Sequence, residues 1–341
     1  MGWYRTVGRP LFFALDPESA HRLAMTLLGL PLPWRAIGGA ATDLRQGVTL
    51  AGIPLRNPIG LAAGFDKSLR RLDALGRLGF GYVIGGTITR EPRAGNPRPR
   101  IARDPEAGAL TNAMGLPNPG LEAAARTLAR TRRTAPRLVS VADEAVRDAA
   151  AVVERLAPLA DGLELNASCP NVSWGRDRDQ EAHLAALLGA FRERTDRPVF
   201  VKLPPFATDI EREAVLALAH ISRSHGAAGL TCSNTLPVED RRLSAGAGGR
   251  SGRPLAARTP AIVAEVVSAT GGALPVNACG GIATVDDVVA CLEAGATTVQ
   301  LYTALVFEGP GVVGRLTDAL SRVLVDRDQT VPGLVGAAAG A

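Results

Sequence analysis

The feature that most constrains this chain is a regular alternation of short apolar runs with helical patterns from residue 57 onward. Strand-then-helix units repeated about eight times predict a parallel sheet, and runs rich in Val, Ile and Leu predict strands buried on both faces. Because eight units leave nothing over, we expect the sheet to close into a (β/α)8 TIM barrel. The runs are PIGLAAG (58–64), YVIGGT (82–87), RLVSVA (137–142), GLELNAS (162–168), VFVKLP (199–204), AGLTCSN (228–234), LPVNACGG (274–281) and TTVQLYT (297–303).

Composition narrows the classes of function. A chain of 341 residues with 46% hydrophobic and 21% charged residues is not typical of disorder or of a fibre. No run of about 18 apolar residues occurs, which excludes a multi-spanning membrane protein. The net charge of +5 suits anionic small ligands or an acidic membrane surface, but the arginines are scattered without interleaved aromatics, which argues against nucleic acid. The four cysteines form no CxxC pair and no His/Asp cluster is visible, so no metal site is predicted.

The first forty residues differ from the rest of the chain. Asp16-Pro17-Glu18 supplies a helix N-cap, a proline at the first helical position and an acidic first turn, which predicts two short amphipathic helices. Two interpretations stay open: a cap over the bottom of the barrel, or an interfacial membrane anchor in which aromatic and basic residues alternate. The residues that suggest an anchor are Trp3, Tyr4, Phe12 and Phe13, with Arg5, Arg9 and Arg22.

These patterns divide the chain into three parts. We expect an N-terminal helical segment over 1–40, a barrel domain over 41–329 and a flexible tail over 330–341. Two insertions, at 88–117 and 235–255, follow the second and sixth strands. Both lie at carboxyl ends of strands, where barrel enzymes build their sites.

Amide side chains follow several of the predicted strands. Because each amide both donates and accepts hydrogen bonds, four asparagines in one pocket suit a planar, pyrimidine-like ligand. For any one of them, capping of a loop is the alternative. The four are Asn112, Asn166, Asn171 and Asn234.

The last two strands end in residues typical of a phosphate site. Gly280 and Gly281 follow strand seven, and Tyr302 and Thr303 follow strand eight. Barrels bind phosphate at this position through backbone N–H groups and a helix N-terminus.

Cys169 is the candidate for proton transfer, because none of the four histidines ends a strand. The ordinary thiol pKa of about 8.5 is lowered by nearby lysines or backbone amides, and a thiol with a lowered pKa can act as a base at neutral pH. The alternative is a buried, small apolar residue.

Several motifs together carry a family resemblance that runs from about residue 3 to 325. They are NPIGLAAGFDK, GTITREPRAGNPRPR, NASCPN, VKLPP, SNT, GGRSGRPL, CGGI and AGATTVQLYT. They resemble dihydroorotate dehydrogenase, a family of FMN-containing (β/α)8 barrels that oxidise dihydroorotate to orotate in pyrimidine biosynthesis.

The resemblance implies roles for individual residues. Cys169 would take a proton from C5 of dihydroorotate while a hydride leaves C6 for flavin N5, and Lys202 would lie near the flavin N1 edge. Substrate-binding roles are implied for Lys67, Asn112, Ala113, Met114, Gly115, Leu116, Asn166, Asn171, Asn234 and Thr235. FMN-binding roles are implied for Ala63, Gly64, Phe65, Asp66, Lys67, Thr87, Ser140, Asn166, Lys202, Ser233, Gly252, Gly281, Tyr302 and Thr303.

The resemblance is divided between two classes of the family. LFFALDPESAH resembles the membrane-associated, quinone-reducing class, which usually has Ser at the position of Cys169, Arg at Ala113 and Asn at Ser140. NAMGLPNPG and Cys169 resemble the soluble class that uses fumarate or NAD. We favour the quinone class, because a base is readily exchanged whereas a whole helical module has a dedicated use.

The favoured class implies partners and a location. These are dihydroorotate or orotate, a quinone, and an anionic membrane surface on the cytoplasmic side of the cell membrane, with a cytoplasmic enzyme as the alternative. The sequence leaves the oligomeric state open, a monomer included. Two further alternatives are a Schiff-base lyase of the same fold, using Lys67 or Lys202, and a non-catalytic barrel.

Overall fold

Our computed structural model describes residues 3–40, 42–167 and 180–337. The strands are β1 (Val48–Leu50), β2 (Ile53–Leu55), β3 (Ile59–Leu61), β4 (Tyr82–Ile88), β5 (Ile101–Asp104), β6 (Ala109–Asn112), β7 (Arg137–Val141), β8 (Gly162–Asn166), β9 (Val199–Lys202), β10 (Gly229–Cys232), β11 (Leu236–Glu239), β12 (Ala247–Gly252), β13 (Val276–Cys279) and β14 (Thr298–Leu301). The α-helices are α1 (Arg9–Ala14), α2 (Pro17–Leu27), α3 (Trp34–Gly38), α4 (Leu72–Arg77), α5 (Leu121–Arg130), α6 (Val146–Leu156), α7 (Gln180–Arg192), α8 (Asp209–Ser224), α9 (Thr259–Ala269), α10 (Val285–Glu293), α11 (Thr303–Glu308), α12 (Val312–Asp326) and α13 (Val331–Leu334). A π-helical turn (Tyr4–Gly8) precedes α1, and 3-10 turns cover Leu44–Gln46, Ala157–Leu159 and Arg253–Leu255.

Eight parallel strands close into a barrel, which confirms the predicted (β/α)8 fold. Their order around the barrel is β3-β4-β7-β8-β9-β10-β13-β14, and β14 pairs with β3 to complete the circle. Each of the eight apolar runs in the sequence supplies one of these strands. Every residue of β4, β7 and β8 is buried, because helices cover the outer surface and side chains fill the interior.

Helices α1 and α2 lie at the carboxyl end of the barrel, so the interpretation of these two helices as a cap over its bottom is wrong. The Phe13 ring packs edge-on against Phe307, with centroids 5.3 Å apart, and His21 packs against Phe65 at 5.2 Å. Phe65 follows the end of β3 and Phe307 lies beyond the end of β14. The antiparallel hairpin of β1 and β2 instead leads into the amino end of β3, with Leu50 fully buried.

The start of α2 confirms the predicted helix signal. Asp16 is the N-cap, and its carboxylate accepts hydrogen bonds from the backbone N–H groups of Glu18 (3.1 Å) and Ser19 (3.0 Å). Pro17 occupies the first helical position. None of the described helices is long and apolar enough to span a membrane.

The two insertions combine into one four-stranded antiparallel sheet, which the sequence patterns did not reveal. The first insertion supplies β5 and β6, the second supplies β11 and β12, and their order is β11-β12-β6-β5. The central pairing aligns Asn112 with Gly249. Segments far apart in sequence are therefore one unit above the mouth of the barrel.

The end of the chain is packed where we expected a flexible tail. Thr330 caps α13, and Val331 and Leu334 are buried in the main core. The backbone N–H of Gly336 donates to the Leu292 carbonyl at 3.0 Å. The expectation for 330–341 is thus wrong for 330–337, and 338–341 lie outside the described residues.

Candidate active site

A cavity of about 1470 Å³ occupies the carboxyl end of the barrel and continues beneath the four-stranded sheet toward the N-terminal helices. Most of the site residues that the sequence suggested line it, because the ends of parallel barrel strands meet at one face. They are Ala63, Gly64, Lys67, Thr87, Asn112, Ala113, Met114, Gly115, Leu116, Asn166, Lys202, Asn234, Thr235, Gly252, Gly281, Tyr302 and Thr303. Cys169 and Asn171 lie outside the described residues.

The three described asparagines of the predicted set are oriented by local hydrogen bonds. Asn112 Nδ2 donates to the Gly249 carbonyl at 3.3 Å, across the junction of the two insertions. Asn166 Nδ2 donates to Thr87 Oγ1 at 3.2 Å, and Asn234 Oδ1 accepts from the backbone N–H of Thr235 at 2.8 Å. An amide side chain offers both donors and an acceptor, and all three residues line the cavity.

Four predicted site residues have side chains that support the cavity wall and do not line it. Asp66 Oδ1 accepts from the Ser68 hydroxyl and N–H, so its carboxylate shapes the turn after β3. The Ser140 hydroxyl lies 3.0 Å from Thr87 Oγ1 and holds that side chain from behind. Phe65 is buried between other rings, and the Ser233 hydroxyl donates to the Asn234 carbonyl at 3.4 Å.

Two lysines bring positive charge to the cavity. Burial and the nearby Arg100 lower the pKa of Lys67 to about 8, so this ammonium titrates close to neutral pH. Burial also lowers the pKa of Lys202, but the acidic groups of Cys279 and Glu164 outweigh it and leave that pKa raised. Lys202 is therefore a stable cation at the end of β9.

Glycines allow the backbone to pack closely on the side of the cavity near β12 and β13. A Cβ on Gly281 would lie 2.2 Å from the Ala256 nitrogen, and one on Gly252 would lie 2.3 Å from the Gly108 carbonyl oxygen. Both glycines also have positive φ, at 75° and 97°. Beside them, the hydroxyl groups of Ser251 and Thr303 lie 2.8 Å apart. Backbone and hydroxyl groups of this kind suit a phosphate.

The cavity also contains polar groups that sequence reasoning missed. Gln300, within β14, lines the cavity, and its buried amide nitrogen and oxygen have no hydrogen-bond partner among the described residues. Asn96, in the first insertion, lines it as well. Glu164, fully buried in β8, is not among the lining residues, and its carboxylate accepts a hydrogen bond from Thr231 at 2.9 Å. A polar residue inside an otherwise apolar strand was the available sign of Gln300 and Glu164.

Comparison with known proteins identifies the family. A family model described as dihydroorotate dehydrogenase matches residues 46–324. The chain belongs to the dihydroorotate dehydrogenase family. It is 39% identical over 355 aligned residues to the dihydroorotate dehydrogenase (quinone) of Rhodospirillum rubrum, covering 98% of this chain and 94% of that protein. The Chloroflexus aurantiacus protein of the same name is 40% identical over 352 residues, covering 93% and 96%.

A solved structure agrees in fold. The crystal structure of DHODH in complex with ferulenol from Eimeria tenella superposes with a TM-score of 0.84 at 30% sequence identity. The superposition covers 94% of this chain and 95% of that chain. The ligand-free form from the same organism also gives a TM-score of 0.84. The barrel and the added N-terminal helices therefore belong to a known architecture.

The family is flavin-dependent, and the cavity fits such a cofactor. The buried amide of Gln300, unpaired among the described residues, suits a polar ligand because an orphaned buried polar group is costly. Gly252 and Gly281 line the cavity beside the Ser251 and Thr303 hydroxyls, a backbone and hydroxyl surface that suits a phosphate, and Lys202 offers a buried cation. A planar, polar, phosphorylated cofactor meets all three requirements.

Proposed function

We propose that this protein oxidises dihydroorotate to orotate, a step of pyrimidine biosynthesis, and passes the electrons through FMN to a quinone. The observation that carries the proposal is that Asn112, Asn166 and Asn234 converge with two lysines on one cavity that extends toward the N-terminal helices. The relatives named dihydroorotate dehydrogenase (quinone), which align over nearly the full chain, support it.

The amide side chains would recognise the substrate ring. Dihydroorotate carries alternating carbonyl and N–H groups, and Asn112, Asn166 and Asn234 each offer both a donor and an acceptor. Lys67 would bind the substrate carboxylate, since its ammonium lines the same cavity as the segment 112–116. Asn171 and Thr235 complete the proposed set. Hydrogen bonds from the amide side chains would thus hold the ring, and the positive charge of Lys67 would hold its carboxylate.

FMN, when bound, accepts the hydride from C6 of dihydroorotate. Gly252, Gly281 and Thr303 would hold its phosphate, where they line the cavity and the Ser251 and Thr303 hydroxyls lie together. Thr87 and Asn166 would contact the ring system from β4 and β8. Lys202 holds its positive charge at the cavity wall, and this charge favours an electron-rich ring edge.

Cys169 would remove the proton from C5. Two hydrogens leave the substrate, one as a hydride from C6 and one as a proton from C5, so one base completes the balance. Cys169 follows directly on the β8 loop in sequence, three residues after Asn166. A lysine ammonium close to a thiol favours the thiolate, and the cavity carries two lysines, Lys67 and Lys202.

The N-terminal segment would serve the acceptor and the location. Arg9, Phe307 and Glu308 line the outer part of the cavity, where the π-helical turn and α1 pack against α11. A quinone entering between these helices would reach the cavity from an apolar surface. We place the protein on the cytoplasmic face of the cell membrane, bound peripherally through this segment.

An anaerobic titration tests the proposal. The purified protein should be yellow, should bleach on addition of dihydroorotate, and should regain its colour with a quinone in preference to fumarate or NAD. Recovery with fumarate or NAD alone would move the protein to the soluble class. A colourless protein that borohydride and substrate label irreversibly would indicate a Schiff-base lyase, and a protein with neither response would be a non-catalytic barrel.

A further inference from the structure

A two-pronged ion pair joins the N-terminal helices to the first insertion. Arg100 Nε donates to Glu18 Oε1 and Arg100 Nη2 donates to Glu18 Oε2, both at 3.1 Å. Arg100 is only 9% exposed. A paired guanidinium and carboxylate in a partly buried site form strong, directional hydrogen bonds. Helix α2 is therefore fastened to the residue that precedes β5.

The remaining groups of Arg100 hold the insertion together. Its Nη1 donates to the carbonyl oxygens of Ala94 (2.8 Å) and Asn96 (3.2 Å). Its own carbonyl accepts from the backbone N–H of Ala113 at 2.9 Å. One side chain thus connects α2, the loop around residue 95 and the segment that follows β6.

Asn96 extends this connection to the substrate side. Its Nδ2 donates to the Ala113 carbonyl at 3.0 Å, and its backbone N–H donates to the Met114 carbonyl at 2.9 Å. A Cβ on Gly115 would lie only 2.5 Å from Asn96 Oδ1. The segment 112–116, which lines the cavity, is therefore shaped by contact with Asn96.

The same contacts set the charge around Lys67. Burial and Arg100 lower the Lys67 pKa, while Asp66 and Glu18 raise it. His21 on α2 also faces Lys67, but burial lowers the pKa of His21 to about 4, so it is neutral at pH 7. Glu18 thus offsets the effect of Arg100 on the cation that receives the substrate carboxylate.

We propose that Glu18 is a positioning residue for substrate binding, acting through Arg100 and Asn96 on the segment 112–116. The N-terminal helices then contribute to the affinity for dihydroorotate as well as to the acceptor side. The inference rests on the proposed function, since it needs a substrate in this cavity. It adds a role that the acceptor and the membrane do not require.

Glu18→Gln tests the proposal. We expect the dissociation constant of orotate, measured by perturbation of the flavin absorbance, and the KM for dihydroorotate to rise about tenfold. The kcat at saturating dihydroorotate and quinone should stay within about twofold. Because Lys67 loses a nearby negative charge, the weakening of orotate binding at alkaline pH should begin at a lower pH. Only a change of charge at the site moves that profile.

Arg98→Gln is the matched control. Arg98 Nε also reaches Glu18 Oε2 at 3.1 Å, but its side chain is largely exposed, and no hydrogen bond or ion pair joins it to the segment 112–116 within the described residues. Removing it should leave orotate affinity within about twofold. An equal loss in both variants would show that general surface charge, and not the Arg100 connection, sets the affinity, and would overturn the proposal.

A double-mutant cycle decides the route. Asn96→Ala should weaken orotate binding to a similar extent, and Glu18→Gln combined with Asn96→Ala should add little, because both act on one connection. Additive losses, or an unchanged orotate affinity in folded, flavin-loaded Glu18→Gln, would overturn the proposal. If Glu18→Gln does not fold, an unchanged orotate affinity in Asn96→Ala would overturn the proposal. A wild-type protein that does not oxidise dihydroorotate contradicts the proposed function instead.

Discussion

The barrel and the N-terminal segment differ in how far their apolar residues are exposed to solvent. The strands β4, β7 and β8 are buried at every position, whereas Trp3, Val7 and Leu11 are 61%, 57% and 67% exposed. Clustered apolar residues left in solvent mark an interaction surface. The difference indicates two environments for one chain. The apolar residues of the barrel strands are buried in the protein core, whereas the segment 3–32 presents an apolar face that another surface can cover.

The two regions also differ in what holds them in place. Individual hydrogen bonds help to attach the segment: the Tyr4 hydroxyl donates to the Val306 carbonyl at 2.8 Å, and Arg103 donates to the Phe12 carbonyl at 3.0 Å. The Arg103 guanidinium also lies 4.6 Å from the centre of the Phe13 ring. The barrel rests instead on a continuous apolar core. Changes confined to the exposed apolar face of the segment should therefore leave flavin reduction in the barrel intact. Glu18 is the proposed exception, because it lies on the segment and pairs with Arg100.

The largest effect should come from removing the base in the barrel. Cys169→Ala should slow flavin reduction by dihydroorotate by about 10²–10⁴-fold, because general base catalysis contributes that much. Orotate affinity and vesicle binding should change little. Cys169→Ser should keep activity with its optimum at higher pH, since a hydroxyl is a poorer base than a thiol. Anaerobic single-turnover kinetics measure this, and unchanged rates in the alanine variant would remove Cys169 from the mechanism.

The next effect should come from the apolar face of the segment. Val7→Asp together with Leu11→Asp should reduce partitioning onto anionic phospholipid vesicles at least tenfold, since burying each side chain contributes about 1.5–3 kcal/mol. Bleaching by dihydroorotate should persist. Leu44→Asp is the matched control, because Leu44 is 93% exposed but lies outside this face. Cosedimentation measures the effect, and equal losses for both changes would refute a specific membrane face.

A smaller, pH-dependent effect should belong to the barrel mouth. The Lys67 pKa is lowered to about 8, so its positive charge is present below that pH and is lost as pH rises through it. Orotate affinity should fall above about pH 8, by up to tenfold per pH unit. Titration of the flavin absorbance with orotate at pH 7 to 9.5 measures this. Lys67→Met should bind weakly with no such slope, and a slope that persists in this variant would assign the titration to another group.

The smallest effect should come from a helix cap of the barrel, which should change the stability of the barrel but not vesicle binding by the N-terminal segment. Thr284 and Asp287 form a capping box at the start of α10, with Asp287 N–H donating to Thr284 Oγ1 at 3.2 Å. Thr284→Ala should lower the free energy of unfolding by about 1 kcal/mol, seen in urea denaturation. Vesicle binding should be unaffected. A loss of vesicle binding of equal size would show that the two regions are one cooperative unit.

Sequence alone was sufficient for the barrel because its strands are locally encoded. Each apolar run supplies one strand, and polar residues at or just after the strand ends, such as Asn166, Lys202 and Asn234, line the cavity. The N-cap at Asp16 could likewise be predicted from the sequence. The sequence could not show at which end of the barrel α2 lies, because that position depends on tertiary contacts such as Phe13 with Phe307.

The four-stranded sheet could not be predicted for a physical reason. Strand β12 reads AGGRSG and carries no apolar alternation. Its glycines are required by close approach: a Cβ on Gly249 would lie 1.9 Å from Thr235 Oγ1, and one on Gly248 would lie 2.6 Å from the Asn112 carbonyl oxygen. The pairing between Glu18 and Arg100 was hidden for a similar reason, since 82 residues separate the partners.

That sheet has a consequence for engineering the protein. Asn112 ends β6, Asn234 and Thr235 precede β11, and β12 is hydrogen-bonded between the two strands. The two sides of the proposed pyrimidine site are thus held in one hydrogen-bonded sheet, so a change to one side shifts the other. A chimera that takes one insertion from a relative of different specificity should lose activity, and exchange of both insertions together should restore it.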